Sequence, residues 1–227
     1  MGTSTSFRAP ARPRWNAFNA ALTDGASMDR IRSELFNAGN EWEDALAGPA
    51  IASYAMSVNS LFHELPRRLV DSSNYGMSIV DIVEDAKSAS AEAGFSPAVA
   101  IAERALFRLI IVGVDGLQGS EQRQIDPSAR WRELRGSEPT ELVANYAGEL
   151  IGQYARHVVD REVGRLVSAA PEVRATEVST AVSAAAFEVA RSVATVHLSD
   201  QPISIDTWSS LLHRTFNEGR TLPALKS

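Results

Sequence analysis

The sequence predicts an all-α protein, a multi-helix globular domain with an extended N-terminal tail. Three observations carry this. Apolar residues recur three and four positions apart along most of the chain. No strict alternation of apolar and polar residues persists beyond about six positions, the length of an ordinary strand. Gly-Pro, Ser-Pro and single glycines fall at the ends of the periodic runs, where helices begin and stop. The expected organisation is an extended tail over 1–14, a single helical domain over 15–220 and a C-terminal tail over 221–227.

Trp15, Phe18 and Leu22 open the domain with an i, i+3, i+7 stripe. Ser27 is placed to cap a short helix carrying Ile31, Leu35 and Phe36, with Gly39 as its C′ residue. After Gly48-Pro49, the residues Ile51, Tyr54, Val58, Leu61, Phe62 and Leu65 share a face until Pro66. The run from Met77 to Ala93 has Ile79, Ile82, Val83 and Ala86 on one side and stops at Gly94. Ser96-Pro97 reads as N-cap plus N1 proline for a helix with Val99, Ala102, Leu106, Leu109 and Ile110. Periodicity fails around GVDGLQGSEQ, which predicts a loop over 113–122 and a less regular segment to Gly136.

Pro139-Thr140 begins the longest periodic stretch, with Leu142, Val143, Tyr146, Leu150, Tyr154, Val158 and Leu166, closed by Pro171. Gly148 and Gly152 lie four apart on one face and leave room for a second helix to approach closely. Ala175 to Leu198 reads as an Ala- and Val-rich helix suited to burial between neighbours. Asp206 is placed to cap a last helix with Trp208, Leu211, Leu212 and Phe216, ending at Gly219. No repeat of fixed period is found.

Composition bounds the function. The chain has 227 residues, 44% hydrophobic and 22% charged, an ordinary globular balance with enough apolar surface for a real core. A formal charge of −6 argues against a general phosphate-binding surface, so nucleic acid is not expected to bind through the body. With no cysteine, disulfides, thiol nucleophiles and thiolate zinc sites are excluded. The longest apolar run, ALFRLIIVGV, is interrupted by Arg108 and too short to span a bilayer, and Pro10, Pro13 and Asn16 break up any signal-peptide core. The expectation is a cytoplasmic protein without a membrane partner. Lys87 and Lys226 are the only lysines among 22 basic residues, a bias of GC-rich bacterial coding.

Catalytic signatures are missing from the pattern. His63, His157, His197 and His213 fall on different predicted helices, and none has a second histidine at i+4. His63-Glu64 is not a zincin motif, because Arg67 stands where the second histidine belongs. The glycines of GVDGLQGS have neither dinucleotide nor P-loop spacing and read as a helix end entering a loop. Arg156, His157, Asp160, Arg161 and Glu162 read as a solvated face. No GxSxG nucleophile turn occurs. The expectation is therefore no enzyme, no cofactor and no metal, with a cross-helix histidine–carboxylate site as the enzymatic alternative.

The beginning, MGTSTSFRAPARPRW, has no acid before Asp24. Gly2 becomes a sterically open α-amine once Met1 is removed, and an α-amino pKa of about 7.7–8.0 leaves an appreciable nucleophilic fraction at neutral pH. Thr3, Ser4, Thr5 and Ser6 supply hydroxyls without bulk, as a tail threading a narrow cleft needs. Arg8, Arg12 and Arg14 suit an acidic rim. Pro10 and Pro13 stiffen the stem towards polyproline geometry, and Trp15 anchors it. The plain alternative is a disordered terminus. MGxxxS also fits N-myristoylation, which the bacterial composition places behind conjugation.

The run Met1-Gly2-Thr3-Ser4-Thr5-Ser6, followed by a Pro-containing spacer and Trp15, resembles the start of QatB proteins, components of the Qat anti-phage operons that also encode an ATPase, a QueC-like enzyme and a TatD-like nuclease. The resemblance covers residues 1–15. It implies a bacterial defence component whose Gly2 amine accepts an activated deazapurine acyl group from the QueC-like partner. Thr3 and Ser4 would then be recognition residues, and the helical body a platform for this and other Qat components. The alternative is a generic helical interaction or assembly module, with a homo-oligomer formed through Gly148/Gly152 or the Ala-rich helix.

Overall fold

The computed structural model describes residues 12–58, 88, 96–112, 139–169, 175–198 and 203–221. Among these residues all regular structure is helical. The helices are α1 (Arg12–Thr23), α2 (Met28–Ala38), α3 (Asn40–Ala47), α4 over 49–58, α5 (Pro97–Val112), α6 (Pro139–Ala169), α7 (Ala175–His197) and α8 (Ile205–Thr221). Of the expected elements, the helix over 77–93 except for Ser88, the loop over 113–122 and the stripe residues Leu61, Phe62 and Leu65 lie outside the described residues.

Several ends follow from single side chains. The Ser27 hydroxyl accepts from Arg30 N at 3.4 Å and starts α2, and Ser96 accepts from Val99 N at 3.2 Å and starts α5. Both satisfy an amide that the first helical turn leaves without a carbonyl. Gly25 has φ +63, the left-handed conformation that turns the chain from α1 into α2. α8 differs from expectation. Ser204, not Asp206, is its cap, accepting from Thr207 N at 3.2 Å, and Asp206 sits inside the first turn. α8 also runs through Gly219 to Thr221, because Gly219 is needed for space: a Cβ there would overlap the ring of buried Phe36.

Gly39 departs in a similar way. Its φ is −84, so it makes no left-handed helix end; it links α2 directly to α3, a helix not anticipated from sequence. A Cβ at Gly39 would lie 2.5 Å from the Tyr154 hydroxyl and 2.7 Å from the Phe216 ring. α3 buries Trp42 and Leu46, four residues apart.

α6 and α7 form the most extensive helix pair. Gly148 and Gly152 face α7, as their spacing suggested. A Cβ at 148 would stand 2.8 Å from the Phe187 ring, and the Ser183 hydroxyl donates to the Gly152 carbonyl at 2.8 Å. α5 packs on α6, and α8 lies across α2, α3 and α7. Aromatic rings knit the centre: Tyr146 meets Trp208 at 5.7 Å, Tyr154 meets Trp42 at 5.3 Å and Phe216 at 5.8 Å, and Phe216 meets Phe36 edge-on at 5.4 Å. Trp208 is fully buried, and its indole N–H donates to the Leu46 carbonyl at 3.0 Å.

Candidate functional site

Burial of Phe216 dictates what surrounds it on α8. Residues three before and four after share its face, so His213 and Arg220 flank it at the rim of the core. Across from them, α3 turns Trp42 inward and carries Glu43 to the same rim. The Glu43 carboxylate, 12% exposed, joins both: His213 Nδ1 lies 2.8 Å from Oε1, and an Arg220 terminal nitrogen donates to Oε2. An ionised carboxylate can only accept, so Nδ1 carries the proton of the imidazole and Nε2 carries the lone pair. The His213 side chain is 44% exposed.

Arg220 is a clamp. Its Nε donates to the Phe36 carbonyl at 3.3 Å, which also accepts from Gly39 N, in the last turn of α2, where the helix end favours a cation. Another nitrogen donates to Asn217 Oδ1 at 2.8 Å. Its own carbonyl accepts from Ser33 Oγ at 3.0 Å, so α2, α3 and α8 meet in this one residue. Beside it lies an open cleft of about 390 Å³ lined by Pro13, Arg14 and Ala17 of α1, Glu34 and Asn37 of α2, and Arg220.

A second groove of about 370 Å³ runs between α5 and α6, lined by Glu103, Arg104, Phe107, Arg108 and Gln153, with Phe107 41% exposed. Arg108 Nε is 3.2 Å from Glu149 Oε2. Burial nevertheless raises the Glu149 carboxyl above its ordinary value, outweighing Arg108 and a hydrogen bond with Gln153. One turn further, His157 meets the Trp42 ring edge-on at 5.5 Å. Burial, then Arg104 and Arg161, lower its pKa against the pull of Asp160.

Of the residues singled out in the sequence, Gly2, Thr3, Ser4, Thr5, Ser6 and Arg8 lie outside the described residues, as do His63 and GVDGLQGS. Arg12, Pro13 and Arg14 form the first turn of α1 rather than a polyproline stem, since proline is tolerated where the helix has no amide to pair. Arg14 is exposed on the cleft wall. On the charged face of α6, Asp160 and Arg161 are exposed as expected, with Asp160 accepting from Ser179 Oγ at 2.8 Å, whereas His157 is half-buried against Trp42. The structure brings two histidines to carboxylates across helices, His213 to Glu43 at 2.8 Å and His197 to Glu218 at 3.5 Å. Neither Glu43 nor Arg220 was singled out from sequence, and only the i, i+7 relation of His213 and Arg220 around Phe216 could have pointed to them.

Tyr146 and Tyr154 are wholly buried, and their hydroxyls have no hydrogen-bond partner among the described residues. Burial raises both phenols above their ordinary value, reinforced at Tyr146 by Tyr54. Among the described residues no three His, Asp or Glu side chains converge as metal ligands, and no helix is long and apolar enough to cross a membrane. No protein-family model, curated protein or solved structure matches this chain.

Proposed function

We propose that this chain is a non-enzymatic, cytoplasmic component of a bacterial anti-phage system of the Qat type, with the role of QatB, and that it presents its N-terminal leader to a QueC-like partner. The observation that carries the reading is the acid-free, glycine-led run MGTSTS in front of a helical body. The exposure of Pro13 and Arg14 supports it, because α1 is held by buried Phe18, Ala21 and Leu22 while its first turn stays accessible. In the proposed step the Gly2 amine attacks the activated acyl carbon of a carboxylated deazapurine. The C–N bond forms, the activating group leaves with the electron pair of its bond, and the amine sheds a proton.

Intact mass after co-expression with the operon partners tests this reading. Loss of Met1 followed by one acyl adduct on Gly2 is the expected result; loss of Met1 alone overturns it. A helical assembly module is the second reading, favoured by the exposed ring of Phe107 in the α5–α6 groove. In that case deletion of residues 2–11 leaves function intact, and sedimentation shows self-association that Phe107→Ser weakens.

A further inference from the structure

We propose that His213 is a phosphoryl-acceptor site, taking a phosphoryl group at Nε2 from an acyl phosphate. Three observations place this chemistry here rather than at the other histidines. First, the hydrogen bond from Nδ1 to Glu43 Oε1 at 2.8 Å fixes the tautomer with the lone pair on Nε2, the atom facing away from the carboxylate. Second, Glu43 is itself held by Arg220, which is tied to Phe36 O and Asn217, so the imidazole leans on a rigid support. Third, the ring is 44% exposed on a helix face, open to a donor carried by another molecule.

The other described histidines lack this set. His197 has Arg214 Nη1 at 3.2 Å from Nδ1 and Glu218 Oε1 at 3.5 Å from Nε2, so both ring nitrogens are engaged. His157 is half-buried with its ring against Trp42. At His213, metal ligation is disfavoured because no third ligand joins the pair among the described residues. General-base catalysis gains from a water-excluded pocket, which an open helix face does not supply.

The step balances without a further reagent. The Nε2 lone pair attacks phosphorus, the N–P bond forms, and the bridging P–O bond of the acyl phosphate breaks. The carboxylate leaves with that electron pair. No proton has to move, because Nδ1 keeps its hydrogen and the ring becomes cationic. Glu43 stabilises that cation through the hydrogen bond it already makes.

The test is incubation of the full-length protein with acetyl phosphate, followed by intact mass, peptide mapping and ³¹P NMR. One acid-labile, alkali-stable phosphoryl group on Nε2 of His213 is expected. His213→Gln should abolish it, and Glu43→Gln should slow it several-fold while far-UV circular dichroism stays native. No label on the folded wild-type protein, label on His197 or a carboxylate in its place, or an unchanged rate in a folded Glu43→Gln variant each overturns the assignment. Should Glu43→Gln fail to fold, Glu43→Asp, which draws the carboxylate back from Nδ1, is the second probe: slower labelling is expected, and an unchanged rate overturns the assignment.

Discussion

His157 illustrates how a single side chain sets a condition on the whole chain. Its imidazole is disfavoured as a cation by burial and by Arg104 and Arg161, so the folded protein protonates it less readily than the unfolded chain does. A lowered histidine pKa means that the unfolded state binds more protons over the interval between the two values. The stabilising contribution is thus complete above the unfolded value of about 6.5 and is lost as pH falls below it, down to the folded value. Urea midpoints measured from about pH 7.5 to 5.5 should decline more steeply for the wild type than for His157→Phe, a ring that keeps the contact with Trp42 but cannot titrate. Parallel curves would show that His157 contributes no such slope.

At the scale of the helix, glycines without unusual backbone angles decide how closely elements pack. Phe187, opposite Gly148, is half-buried with part of its surface open to solvent, whereas Phe36, opposite Gly219, is fully enclosed. Gly219→Ala should therefore destabilise by about 1–3 kcal/mol through overpacking, and more than Gly148→Ala, whose relief also includes a helix-propensity gain of about 1 kcal/mol. Denaturant unfolding of the two variants, with Gly219→Ala/Phe36→Leu as partial rescue, checks the order. Caps provide a second comparison. Because Ser204 holds the amide of Thr207, Ser204→Ala should cost about 1 kcal/mol. Asp206→Ala removes only a favourable charge near the helix start, about 0.5 kcal/mol. Equal losses would place the cap elsewhere.

At the scale of the molecule, α8 packs across α2, α3 and α7, and Trp208 is its largest fully buried side chain. Trp208→Phe leaves the Leu46 carbonyl without its donor in a dry core, a loss of about 1–3 kcal/mol. Hydrogen exchange should quicken in α3 and α8 together if the indole joins them, and in α8 alone if it does not. The sequence carried most of this architecture because its signals are local: the caps at Ser27 and Ser96, the stripe from Leu142 to Tyr154, and the small-residue face at Gly148 and Gly152. It did not carry α3, whose eight residues hold too few turns for a periodic stripe to stand out. Nor did it carry the meeting of Glu43 with His213 and Arg220, which depends on the angle at which α8 crosses α3. Gly39 and Gly219 read as helix ends because a sequence shows that a side chain is missing, not what occupies its place.

The enclosed phenols of Tyr146 and Tyr154 give the protein an alkaline limit. Each can lose its proton at about pH 10 only in the open chain, so base favours opening, and the favourable term for the closed form fades as pH climbs past that point. In a spectrophotometric titration, the phenolate absorbance of these two rings should rise in the same step in which helical dichroism disappears, each serving as a built-in dye for the loss of the interior.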